Sequence, residues 1–542
     1  MLDRIANALQ TGKTIIDTGL LRPTRPSKVL RAAYAVLRYG PTTPGLVETG
    51  AVLYPDRTSI VDELGTVSFA ELNQTTNAIA DALAADGVGE GDRIGVLCRN
   101  HRGFVEASVA AAKLGADVLY LNTGFAAPQL RDVMAREGAD TLVYDGEFAG
   151  IVGESGFGGR RLVAWWEGGS APDALLSDLA ASGNTRDRLR PRRQGRTVIL
   201  TSGTTGTPKG AQRGGAPRSL HPAAALLEKI PLRAEGVTVI GPPLFHAWAM
   251  AHHMVAMALG STMVLRRRFD PETVLALIAE NRADTLVLVP VMLQRLLELP
   301  EEVRRSHDTS CLRIIALSGS QLNADVATRG LDEFGPVLYN MYGSTEVAWA
   351  TIATPEDLRA APGCAGRPPR GTTVRLYDDE GKPVTEPGVV GRIFAANDMS
   401  FEGYTGGGGK QVIDGLLSIG DVGYFDEGGR LFVRGRDDDM IVSGGENVFP
   451  QEVEELLVGH EAVADASVVG VDDEAFGQRL AAAVVLRSDH RLTEDDVKGY
   501  VKSNLAGYKV PRDVVFVDEL PRNPTGKVLK KDVRALFDSG PD

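Results

Sequence analysis

Three cysteines occur in 542 residues, Cys98, Cys311 and Cys364, and no two form a C-x-x-C pair. So few, so widely spaced, they exclude a disulfide framework and a cysteine-based metal site, and point to reduced thiols in a cytosolic protein. No uninterrupted apolar run approaches the roughly eighteen residues of a membrane-spanning helix. The N-terminus, MLDRIANALQ, lacks the apolar core of a signal peptide. Positive charge is also short, with a formal net charge of −13. That argues against nucleic acid as a partner, because phosphate backbones require a basic face. Aromatic residues make up only 6% of the chain. A Walker A loop is missing: the only Gly-Lys-Thr is Gly12-Lys13-Thr14, and Asn7 stands where the earlier glycine must be. Lysines number 13 against 45 arginines, and Lys209 and Lys527 lie in loops rich in Gly and Pro.

The remainder is ordinary globular composition, 43% hydrophobic and 24% charged. A chain this long exceeds what one core organises, so at least two domains are expected. Residues 1–45 stand apart, with seven Lys/Arg against two Asp. Within them Leu30, Tyr34 and Leu37 fall at helical spacing, and Arg31 and Arg38, seven residues apart, are expected on one face. An extension packed on the main body is the favoured reading, and a helix on a membrane surface the other. From there to Arg436 short apolar runs alternate with helical patterns. Strands are expected at 93–98, 117–121, 140–144, 285–289 and 313–317, and helices at 104–115 and 126–137. This alternation predicts α/β architecture with parallel sheets. The texture changes at Asp437-Asp438-Asp439, where a boundary is placed. Residues 437–542 then form a smaller α+β domain, with strands at 466–471, 481–486 and 514–517 and a helix near 493–505.

The most informative segment is Thr201-Ser202-Gly203-Thr204-Thr205-Gly206-Thr207-Pro208-Lys209-Gly210, which follows the apolar run Val198–Leu200. Glycines let backbone N–H groups turn toward an anion, hydroxyls add donors, and lysine adds a mobile charge. These are the parts of a loop that closes over a polyphosphate. In Tyr342-Gly343-Ser344-Thr345-Glu346, expected to follow a short strand at Val337-Leu338, a tyrosine offers a flat face to a base. The threonine suits a phosphate oxygen and the carboxylate suits magnesium.

The order of these segments resembles the adenylate-forming superfamily of acyl- and aryl-CoA synthetases, luciferases and peptide-synthetase adenylation domains. The resemblance covers residues 50–535. It implies a large N-terminal α/β domain of parallel-rich sheets with flanking helices, plus a small mobile α+β C-terminal domain. It also implies that Thr201–Gly206 and Lys209 bind ATP phosphates, Tyr342 stacks on adenine beside Gly343 and Ser344, Thr345 contacts the α-phosphate, and Glu346 ligates Mg²⁺. Ser318-Gly319-Ser320 resembles the adenine-side loop. Asp421 matches the ribose-binding aspartate, although Ile419 replaces the usual threonine before it, and Arg436 matches a second ribose contact. Asp438 falls at the hinge, and Gly444 and Gly445 match glycines that leave room for the pantetheine of CoA. Pro521-Arg-Asn-Pro-Thr-Gly-Lys527 resembles the loop carrying the adenylation lysine. Phe245, His246 and Trp248 match a segment lining the acyl pocket.

The implied activity is an acid–thiol ligase. A carboxylate attacks the ATP α-phosphorus, and after rotation about Asp438 CoA takes the acyl group from acyl-AMP. Low aromatic content and the basic N-terminal helix lean toward a fatty acid. The alternative is a fatty-acyl-AMP ligase without CoA activity, although the insertion typical of those enzymes is not found between Glu346 and Asp438. Fifteen residues follow Lys527, which disfavours a peptide-synthetase module. From other classes, a kinase or hydrolase would release ADP rather than AMP, and a non-catalytic acyl-binding protein would not need Lys527, Glu346 and Asp421 together. The expected location is cytoplasmic, with contact at the inner face of the membrane through residues 1–45 on the second reading of that segment.

Overall fold

The computed structural model describes residues 2–20, 25–187, 191–201, 209–213, 221–344, 346–399, 403–404, 410–443, 446–473, 477–488 and 490–538. Three helices open the chain: α1 (Leu2–Asp17), α2 (Pro26–Tyr39) and α3 (Thr43–Leu53). α1 is fastened to the helix His221–Lys229. Thr11 Oγ1 lies 2.8 Å from His221 Nδ1, the Thr14 hydroxyl donates to Glu228 at 3.1 Å, and Arg370 clamps Glu228 at 3.0 and 3.1 Å. α2 buries Ala32, Ala35 and Tyr39 against α3.

Arg31 and Arg38 do not share an outward face. Arg31 is exposed, whereas Arg38 turns inward to Glu48 of α3 at 3.2 Å, both side chains only 9% exposed. Burial pushes the Glu48 carboxyl above its ordinary range and the Arg38 charge opposes that. A buried carboxylate needs a partner, and this outweighs the helical spacing.

Two eight-stranded sheets form the frame of the larger part. In the first, the strands Val237–Ile240, Thr285–Leu288, Ile314–Leu317 and Leu338–Tyr342 run parallel. Thr285–Leu288 and Ile314–Leu317 are buried along their whole length, as continuous apolar runs must be in a sheet covered on both faces. In the second sheet, Thr197–Thr201 lies parallel to Asp117–Tyr120, and turns back as an antiparallel hairpin with Lys209–Arg213. A third, antiparallel sheet holds Leu416–Phe425 against Leu431–Arg436. The short 3₁₀ turn Asp437–Asp439 separates it from a fourth sheet, in which Val463–Asp473 pairs with Gly477–Leu486.

Expected strand and helix positions agree with the structure to within a few residues. One differs instructively: the strand before the Tyr-Gly motif is Leu338–Tyr342, not Val337-Leu338. It pairs with Ile314–Leu317 on one side, and its last three residues pair with Thr351–Ala353 on the other. These ladders carry Asn340, a poor strand former, into the sheet.

The helices Phe69–Ala85 and Arg102–Lys113 are locked by the buried Lys113 ammonium. It donates to Thr76 Oγ1 at 2.8 Å, Asn77 Oδ1 at 2.6 Å and Asn73 Oδ1 at 2.8 Å. Lys113→Ala strands these acceptors in the interior and is expected to cost about 3 kcal/mol. Urea unfolding measures it, and a loss below about 1 kcal/mol would mean that water replaces the ammonium.

Candidate active site

The candidate residues converge at the carboxyl ends of the parallel strands, where open α/β sheets bind ligands. Gly241–His246 follows Val237–Ile240, Ser318–Ser320 follows Ile314–Leu317, and Gly343–Glu346 follows Leu338–Tyr342. Thr201 and Lys209 are direct partners across their hairpin. Ser202, Gly203, Thr204, Thr205, Gly206, Thr345, Gly444 and Gly445 lie outside the described residues.

A half-buried polar knot forms around Asp421. The Tyr342 hydroxyl donates to Asp421 Oδ2 at 2.6 Å, and Arg436 Nη1 stands 3.3 Å from Oδ1. Asp421 and Arg436 sit opposite each other in the ladder of the third sheet, so the pair is built by backbone register. Burial raises the Asp421 carboxyl above its ordinary value, against the Tyr342 hydrogen bond and the charges of Arg436, Lys527 and Lys410. Burial and the same carboxylate push the Tyr342 phenol well up. Ile419 packs into the third sheet's apolar core, and the hydrogen bonds of Asp421 run instead to Tyr342 and Arg436.

Backbone geometry shapes the neighbouring turns. At Gly343 a side-chain carbon would meet the Ala348 carbonyl oxygen at 2.4 Å and Trp349 Cα at 2.6 Å. Ser344 Oγ accepts from the Glu346 and Val347 amides at 3.3 and 3.4 Å, and Glu346 is buried. Gly319 has φ +96°, open to glycine, and an added Cβ would meet Val289 at 3.2 Å and His246 Cε1 at 3.8 Å. Ser318 is buried and Ser320 exposed.

Of the three acyl-pocket candidates, His246 lies beside Gly319. Phe245 and Trp248 are buried in the main core, and the Trp248 indole donates to the Leu288 carbonyl at 3.0 Å. His246 precedes the helix Ala247–Ala258, and its buried Nδ1 has no partner. Burial, then the Lys527 charge, push its pKa down to about 4.

Lys527 reaches the site from the C-terminal part. Its loop is braced by Asn523 Oδ1, which accepts from the Lys527 amide at 2.9 Å, the Thr525 amide at 3.0 Å and the Thr525 hydroxyl at 2.6 Å. Gly526, with φ +82°, sits against Val291, where an added Cβ would come within 2.6 Å. The Lys527 charge lowers both the His246 and the Asp421 pKa. Gln294 Nε2 donates to the Ala464 carbonyl at 3.0 Å, and Gln321 to Glu455, holding the two parts in this orientation.

Sequence reasoning missed two residues. Lys410 ends a run of four glycines, a signal like that of Lys527, and the space beside Gly420 is bounded by Lys410 Nζ and Arg436 Nη2. Asn340 lies two residues before Tyr342 on the same strand face, and its buried Oδ1 has no partner. No sequence signal marks it.

A further cluster, Cys98, His101 and Asp145, has metal-ligand proximity among the described residues. His101 Nδ1 accepts the Gly103 amide at 3.0 Å, so the proton sits on Nε2, which donates to Asp145 at 2.7 Å. The groups satisfy one another, and the ring offers a metal no lone pair.

Residues 47–405 match the AMP-binding enzyme family, and residues 452–527 match the AMP-binding enzyme C-terminal domain. The chain belongs to that family. Feruloyl-CoA synthase of Amycolatopsis sp is 33% identical over 498 residues, 90% of this chain and 97% of that protein. A long-chain-fatty-acid–CoA ligase of Mycobacterium tuberculosis is 29% identical over 491 residues, 87% and 93% of the two chains. The structure of o-succinylbenzoate CoA synthetase from Bacillus subtilis, in complex with its acyl-adenylate intermediate, superposes with TM-score 0.77 at 28% identity, covering 90% of this chain and 97% of that one. This is an adenylate-forming enzyme of the CoA-ligase type. No helix among the described residues is long and apolar enough to cross a membrane.

Two outcomes are expected of the site. The His246 ring should stay uncharged between about pH 5 and 8, seen as a constant ring-proton NMR shift, and Lys527→Ala should move its midpoint upward. Asn340→Leu should raise the ATP KM about tenfold and narrow the preference for ATP over GTP, if its open acceptor takes a purine amine. An unchanged nucleotide preference would remove Asn340 from the base pocket.

Proposed function

We propose that this enzyme activates a fatty acid with ATP and transfers the acyl group to CoA, releasing AMP and pyrophosphate. The reading rests most on the convergence of Lys527 with His246 and Asp421. This lysine follows Gly526, which packs on Val291 and Val289 near Gly319 and His246, and its charge acts on both His246 and Asp421. In this orientation its ammonium offsets the negative charge that builds as the acid's carboxylate attacks the α-phosphorus and pyrophosphate leaves. Asp421 and Arg436 hold the ribose hydroxyls, Tyr342 and Asn340 the adenine, and Thr201–Gly206 with Lys209 and Thr345 the phosphates. His246, kept neutral, lets the acid's carboxylate approach without forming an ion pair that would hold it in the ground state.

Glu346 offers a buried carboxylate beside the phosphate-binding turn, a hard oxygen donor suited to Mg²⁺. Bound there, the ion would neutralise phosphate charge. Rotation about Asp438 then removes Lys527 and brings Gly444 and Gly445 to the acyl-AMP, where the CoA thiol attacks the acyl carbon. Apolar Val289 and Val291 beside Gly319 and Gly526 favour an acid whose only polar group is its carboxylate.

Two variants separate the half-reactions. Lys527→Ala is expected to lower pyrophosphate release a hundred-fold or more, yet still convert supplied acyl-AMP and CoA to thioester. Gly445→Leu should form acyl-AMP and stall before thioester. Equal loss of both steps in both variants, with unchanged thermal melts, would overturn the alternating mechanism. A panel of acids assayed by pyrophosphate release tests the substrate. Higher kcat/KM for aryl acids than for long-chain fatty acids would overturn the fatty-acid reading.

A further inference from the structure

The outer face of α2 is apolar and uncovered. Its buried side is made of small residues, Ala32 and Ala35, with Tyr39 at the end. Its large aliphatic side chains point the other way: Leu30 is 72% exposed, Tyr34 64% and Leu37 75%, and Val29 and Val36 are also exposed. Leu30, Tyr34 and Leu37 recur at the spacing of one helix face. Water-facing helix surfaces normally carry charge, so this inverts the usual arrangement. The helix also holds no acidic residue, in a chain with 71 of them. Arg25 just before it and Arg31 within it are exposed, and Lys28 is half-buried.

We propose that α2 is a membrane-docking helix, laying Leu30, Tyr34 and Leu37 into the interface of an anionic lipid bilayer. An interfacial helix needs an apolar face, an amphipathic aromatic at headgroup depth and cations at its margin, and α2 presents all three on its exposed side. Long basic side chains at the edge bury their stems along the apolar surface and keep their charge among the headgroups. Residues 1–45 carry seven Lys/Arg against two Asp in a protein of net charge −13, an excess that fits an anionic surface and favours this end as the docking side. Docking requires no unfolding, because Arg38, Ala32, Ala35 and Tyr39 already hold α2 to α3. α3 in turn packs on the helix Ala247–Ala258, with the Thr43 hydroxyl 3.5 Å from the Met254 sulfur, and His246 immediately precedes that helix. One helix layer therefore separates the proposed docking face from the helix that begins at the acyl-side histidine. The proposal does not depend on which acid is the substrate.

The test is co-sedimentation of the full chain with phosphatidylcholine vesicles, with and without phosphatidylglycerol. Wild-type protein should bind the anionic vesicles, and salt should weaken binding. The double variant Leu30→Glu/Leu37→Glu should reduce binding at least about tenfold, and Arg31→Gln about fivefold on anionic vesicles only. Thermal melts and turnover of a soluble short acid should stay at wild-type values. Absence of wild-type binding, or equal binding by the double variant, overturns the proposal. So does light scattering that shows a wild-type dimer converted to monomer by the same substitutions, which would make the face a contact between two copies of this chain.

Discussion

The candidate site is organised around one carboxylate held largely away from water, that of Asp421. Asp421 draws Tyr342 from the first sheet, Arg436 from the neighbouring strand of the third, and the charges of Lys410 and Lys527. Alone, a carboxylate at this depth would be too costly to keep ionised. Held by a hydroxyl and cations, it adds a side-chain link between the first and third sheets, which backbone hydrogen bonds through residues 365–367 also join. The same arrangement gives it two oxygens directed by fixed neighbours, which is what recognition of a diol requires.

The C-terminal part meets this site through small and polar contacts. A glycine fits against Val291, a glutamine reaches a carbonyl, and another meets Glu455. Such contacts place a loop accurately against the strand ends. The Lys527 loop is rigid within itself, its turn closed by Asn523 where a second hydroxyl is common in the family. Order inside the loop suits the presentation and withdrawal proposed above for Lys527.

The N-terminal helices show two solutions to the same packing problem. α1 spends its polar residues on the main body through Thr11, Thr14 and the Arg370–Glu228 clamp. α2 attaches through alanines and one buried ion pair, leaving its largest apolar side chains outside. The helical spacing of Leu30, Tyr34 and Leu37 is compatible with either a buried or an exposed stripe. Only the position of α3 decides which side is covered.

The family was legible without coordinates. The glycine and hydroxyl run at 201–206, the Tyr-Gly motif at 342 and the lysine turn at 527 are patterns of neighbours in the chain, and a strand's apolar run is visible in its own residues. What required the tertiary structure was every property set by distant partners. Asn340 became a candidate only when its oxygen proved to be buried without a donor, and Lys410 when folding brought it beside Gly420 and Asp421. Ile419 packs into an apolar core, and the Trp248 indole is fixed by a strand carbonyl, contacts that no local pattern announces. Arg38 turned inward because a buried glutamate stood opposite. Spacing specifies which side chains share a face, but burial and charge, which belong to the whole fold, determine what that face meets.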